Sequence, residues 1–217
     1  MPRSAAPILA TLAVSIPAWA GTGVPDEQLW TELDVIAPLG DKISVTGAAQ
    51  LRLSEELPNP TYSSAALDFN YKTGSWTLSA GYRHQVTGDR GEEDYPIITQ
   101  LARLTATYAW RMGRDTVLFR ARIENTITAS GNPWRIRVRG EYRWATPGLG
   151  AISYLFTSDE VFYQASDNEW FRNRFQAGMN LIATTRTGIR LYYQRQDSKN
   201  TTPGAINALG ITAAITF

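Results

Sequence analysis

The chain has no cysteine, so it can form neither a disulfide nor a thiolate metal site. It has one histidine, His84, so no site built from several imidazoles is possible. Lysine is scarce: of 21 basic residues only Lys42, Lys72 and Lys199 are not arginine. Charge of either sign is not in excess, since 20 acids offset the 21 bases, and that balance argues against a nucleic-acid partner. No apolar run approaches the ~18 residues that a membrane helix needs. No segment shows a helical period, and no glycine-rich loop joins a strand to a helix, so nucleotide binding has no support.

What is present begins with an export pattern. Arg3 precedes the nine-residue apolar stretch "ILATLAVSI", and Ala18-Trp19-Ala20 has the small-x-small form of a cleavage site. The expectation is a secretory signal peptide over 1–20, removed before Gly21, with residues 21–217 forming one domain. No cofactor is expected.

That domain alternates with period two almost throughout. In "RIRVRGEYR", Arg135, Arg137, Arg139, Glu141 and Arg143 share one face, and Ile136, Val138, Gly140 and Tyr142 share the other. Eleven strands are expected, near 28–37, 42–53, 62–72, 76–86, 100–110, 116–127, 134–145, 151–162, 171–182, 189–196 and 206–217. Ten residues tilted by about 40° rise roughly 25 Å, the height of the apolar band of an outer-membrane barrel. Short glycine-containing turns at 38–41, 73–75, 112–115, 146–150 and 184–188 alternate with longer polar connections at 54–61, 87–98, 128–133, 163–170 and 197–205. Short turns on one side and long loops on the other describe an all-β, antiparallel, up-and-down transmembrane barrel of about 10–12 strands.

Energetics assigns the faces. An arginine facing lipid at the bilayer midplane costs about 2–4 kcal/mol, so four on one strand would exceed a typical net stability of about 5–15 kcal/mol. The arginine face must therefore look inward. By parity the lumen receives Arg52, Arg83 and Arg103, the pair Arg120 and Arg122, the four arginines of 135–143, and Arg172 with Arg174. Inward acids are Glu32, Asp34, Asp68, Glu124 and Glu141. In a narrow barrel these side chains meet and pair, so the expected lumen is filled by an Arg/Glu network in a structural or interaction barrel. An arginine-lined path for anions is the alternative. Trp76, Trp110 and Trp144 beside the short turns, and Trp134 beside a long loop, form the expected interfacial girdles.

The stretches "QLWTELDV" (28–35), "AQLRL" (49–53), "LSAGYRHQ" (78–85), "FRARIEN" (119–125), "RIRVRGEYR" (135–143), "DEVFY" (159–163) and "NRFQAGMNL" (173–181) together resemble the DUF2490 family of bacterial outer-membrane β-barrel proteins. The resemblance covers nearly all of 21–217. It implies a barrel in the bacterial outer membrane and brings no established activity and no catalytic residue. The terminal Phe217, after alternating apolar residues, resembles the signal by which the barrel-assembly machinery recognises its clients. The expected partners are that machinery and outer-membrane lipid.

Two further stretches carry candidate chemistry. A lipid-modifying enzyme would use His84 as base beside an exterior serine, but Val86 stands where the serine would be and Thr87 lies on the other face. Asp89, Glu92, Glu93 and Asp94 cluster in one loop without the spacing of a calcium site, so a charged surface loop is expected and no metal. The strand count leaves a conflict. If the last strand ends in the periplasm, 28–37 must run inward from the outside. Either 28–37 lies in the lumen or at the seam, or a twelfth strand exists, or the count is odd.

Overall fold

A computed structural model describes residues 25–54, 60–88, 96–127, 132–199, 201 and 204–217. The expected signal peptide at 1–20 and the acidic cluster at 89–94 lie outside the described residues.

The described chain contains eleven strands: β1 (Asp26–Pro38), β2 (Ile43–Ser54), β3 (Tyr62–Thr73), β4 (Trp76–Thr87), β5 (Ile97–Met112), β6 (Asp115–Ile127), β7 (Trp134–Ala145), β8 (Ile152–Gln164), β9 (Glu169–Ile182), β10 (Thr187–Ser198) and β11 (Ala205–Thr216). Each pairs with its neighbours in sequence, and β1 pairs with β11 to close a barrel. Several strands run past their expected ends. β5 extends to 16 residues, and the connection expected at 163–170 contracts to 165–168 because β8 and β9 continue pairing as far as Gln164 and Glu169. The two-residue turns after β3 and β5 begin at Gly74 and Gly113, with φ of 57° and 63°. Only glycine enters that region without steric cost, which is why these hairpins close so tightly.

The conflict in strand count resolves as an odd barrel. β1 is not a lumen segment but a wall strand at the seam. It pairs antiparallel with β2 and parallel with β11, in the register Leu29↔Leu209 and Leu33↔Ala213. Ten neighbouring pairs are antiparallel and this one is parallel, which corrects the wholly antiparallel expectation. Parallel closure lets β1 start at the long-loop end while β11 finishes at the short-turn end.

The core is inverted relative to a soluble protein. Large apolar side chains such as Leu67, Phe69, Leu104 and Leu209 lie exposed on the outside. Trp76, Trp110 and Trp144 are exposed at the short-turn end, and Trp134 at the long-loop end. Trp76 meets Tyr108 at 4.9 Å, and Trp144 meets Tyr142 at 4.4 Å. Trp170, tilted against Tyr163 with ring centroids 5.3 Å apart, joins Trp134 on the upper rim and has no counterpart in the sequence reading. The outer face carries a few self-satisfied polar groups. Asn173 donates to Asp159 at 3.0 Å, and Arg195 bonds Asp197 at 3.0 Å. The fully buried side chains point the other way: Trp30, Phe156, Phe162, Gln194 and Glu160.

Candidate functional site

The lumen is built from strand registers that oppose like charges. Arg120 faces Arg139, and Arg122 faces Arg137, directly across β6 and β7. Opposed like charges destabilise a sheet unless something intervenes. Three buried carboxylates intervene, each serving three guanidiniums. Glu124 takes Arg135 at 2.5 Å, Arg137 at 2.8 Å and Arg122 at 3.7 Å. Glu160 takes Arg120 at 2.7 Å, Arg137 at 2.9 Å and Arg174 at 3.7 Å. Glu141 takes Arg139 at 2.5 Å, Arg143 at 2.6 Å and Arg190 at 3.1 Å. Bidentate, charge-assisted contacts of this kind hold a guanidinium in one orientation, so the arginines lie fixed along the wall.

The opposite wall is sparser. Arg103 bonds Asp68 through both Nε, at 2.9 Å, and Nη2. Arg83 comes only to 4.0 Å from Glu32. Arg52 sits over the rings of Trp30, at 3.7 Å, and Tyr62, at 4.1 Å. Arg172 donates to Ser198 at 2.8 Å, and Arg174 to Gln196 at 2.7 Å. Among the described residues, twelve arginines (52, 83, 103, 120, 122, 135, 137, 139, 143, 172, 174 and 190) and seven carboxylates (26, 32, 34, 68, 124, 141 and 160) face the lumen between its rims, a surplus of five positive charges.

The network was expected to fill the lumen; it lines the wall and leaves space. An upper cavity of ≈ 740 Å³ runs from the long-loop mouth, at Thr61, Thr87 and Thr201, down to Arg120 and Arg139. A lower cavity of ≈ 350 Å³ continues past Arg190, Asn180 and Ala214. The two share Glu32, Asp34, Arg120, Arg139, Gln176 and Tyr192 as wall. Tyr192 is flanked in register by Gly178 and Gly210, and its ring lies over Gly210. A Cβ on Gly210 would meet the Tyr192 ring at 2.0 Å. Glycine thus makes the room for the ring, and the ring borders both cavities.

Every arginine assigned to the inside by parity is placed on the lumen side. Parity reasoning missed Glu160 and Arg190, two of the most connected members, and the lumen aromatics Trp30, Phe156 and Phe162. Arg190 was readable, since Arg190, Tyr192, Gln194 and Gln196 alternate with Leu191 and Tyr193. Glu160 was obscured because Asp159 beside it is equally acidic and faces outward. His84 is exposed on the outer face, in register with Ala65 and Gln100, while Thr87 lines the upper cavity. Phe217 is 69 % exposed, and its backbone N–H donates to the carbonyl of Ile36 at 3.1 Å.

These features define a closed β-barrel with an apolar exterior and an arginine-rich, cavity-bearing lumen. The family described as "Protein of unknown function (DUF2490)" matches residues 27–207, and the chain belongs to it. No curated protein and no solved structure matches the chain.

Proposed function

We propose that this protein is an outer-membrane barrel whose lumen admits small anions from the long-loop side, after residues 1–20 are removed on export. The carrying observation is the pair of adjoining cavities walled by a surplus of arginine. A ring of basic side chains favours anion entry, and pairing to buried carboxylates keeps those side chains off the path. The apolar exterior with aromatic rims supports residence in a bilayer. This reading assigns no catalysis: His84 has Val86, not a hydroxyl, at the next outward position of its strand. Lipid and the assembly machinery are the partners it requires.

The test is conductance of the purified barrel in a planar bilayer under a salt gradient. The expected result is a small current whose reversal potential favours anions. Tyr192→Ala, which opens the shared wall, is expected to raise it. A silent or cation-selective wild type would remove the proposal and leave a structural barrel with a closed path.

A further inference from the structure

The upper cavity holds more positive charge than its wall network neutralises, and the surplus is concentrated in one place. Phe162 is buried, and four guanidiniums surround its ring: Arg137 at 4.5 Å, Arg174 at 5.1 Å, Arg172 at 5.7 Å and Arg135 at 5.9 Å from the centroid. Arg174 also lies 5.0 Å from the ring of Trp30, whose own ring carries Arg52 at 3.7 Å. Two rings therefore gather five arginines at the top of the lumen. Cation–π contact lets guanidiniums collect on an aromatic face, but it does not cancel their charge.

The acceptors in reach are mostly neutral. Arg52 donates through Nη2 to Gln50 at 3.2 Å, while its Nε is buried without an acceptor among the described residues. Arg172 donates to the hydroxyl of Ser198, and Arg174 to the amide oxygen of Gln196. Among the described residues, Glu124 and Glu160 are the carboxylates that bind members of this group, through Arg135 and Arg137 for the first and Arg137 and Arg174 for the second. Among the described residues, five arginines against two carboxylates, each of which also takes an arginine outside the group, leave at least three positive charges. Neutral acceptors fix the guanidinium planes without using up the charge, which is how a site for an anion differs from a structural ion pair. All five arginines line the upper cavity.

We propose that this chamber is a binding site for a small solute carrying two or more phosphate-type negative charges. A monovalent anion would leave most of the surplus in place. A polyvalent oxyanion offers several acceptor oxygens to converging forks, the geometry for which arginine is suited and lysine is not. The scarcity of lysine in the whole chain agrees with that demand. The ≈ 740 Å³ cavity exceeds the size of such a group, so a phosphorylated solute with an organic part fits above or below the arginines. This inference rests on an accessible lumen, but not on current flowing through it.

The experiment is calorimetric titration of the folded barrel in zwitterionic detergent with pyrophosphate, orthophosphate, citrate and chloride. Saturable binding of pyrophosphate is expected, at least tenfold tighter than orthophosphate, with no saturation by chloride. Arg52→Gln and Arg172→Gln should each weaken pyrophosphate about tenfold or more, and Arg172→Lys should not restore it fully. Arg114→Gln, in a short turn, should leave binding unchanged. Heat-modifiable migration on a cold gel establishes that each variant is folded. Absence of saturable binding, or an affinity unmoved in both folded glutamine variants, overturns the site. Citrate binding more tightly than pyrophosphate overturns the phosphate assignment. A barrel that binds without conducting sinks the conduction reading alone, and one that conducts without binding sinks this inference alone.

Discussion

Asp68 and Arg103 stand two strands apart and are still bonded, with Arg103 Nε to Asp68 Oδ1 at 2.9 Å. Between them in register lies Gly81, which faces the lumen with no side chain. A Cβ there would meet Asp68 Oδ1 at 1.9 Å. The glycine is the gap through which the ion pair reaches. Arg103 is 5 % exposed, so it has little water to fall back on.

Gly81→Ala is therefore expected to break the pair. Losing a partner of a buried charge costs about 3–5 kcal/mol, and the stiffer unfolded chain returns about 0.4–1. Urea unfolding from lipid vesicles should show a loss of roughly 2–4 kcal/mol from those terms. A variant as stable as wild type would show that the bridge does not need the gap.

Glu160→Gln should be more damaging than any exposed charge change. Glu160 is buried beneath Arg120, Arg137 and Arg174, and the amide keeps its size while removing its charge. The expected loss is about 3–5 kcal/mol in the same assay. Glu169→Gln, whose bridge to Lys199 is long and partly exposed, should stay within about 1 kcal/mol. Equal effects at the two positions would count against a buried network that carries stability.

The parallel seam makes a topological prediction. β1 starts at the long-loop end, so a protease site placed before Asp26 should be cut by protease added to intact cells. The same site in the turn between Pro38 and Ile43 should be protected until the outer membrane is opened. Protection of the first site together with cleavage of the second would reverse the orientation proposed for the barrel.

How far the sequence reveals this molecule depends on whether a feature is local. In "RIRVRGEYR" the two faces are legible because period two is a property of one strand, and a one-residue slip would move every arginine to the apolar face. Partnership is not local. Arg137 finds Glu160 only through the register of β7 against β8, which no single strand encodes. The rule that large apolar side chains face outward also misleads at Trp30, Phe156 and Phe162. Those rings are inside because delocalised guanidinium charge stacks on them, and a row of lysines would not have supplied that contact as well. The odd count was readable as a conflict of direction, but its resolution required knowing which strand β1 meets. The cavities depend on the barrel's circumference and on Gly210, whose role appears only when the Tyr192 ring is seen lying across it.

Closure by β1 and β11 also dictates a sequence of events. Every other strand can settle against one already made, but the seam joins Glu27 to Asn207, 180 positions away. The entropy of so long a loop rises only slowly with length, by about 0.6 kcal/mol per doubling, so distance alone does not forbid the join. What it does impose is a period in which the growing sheet has two bare edges, each a template for pairing with the wrong chain. That exposure ends only when β11 is in place, because its residues from Ile206 to Thr216 are the rungs that meet Asp26 to Ile36.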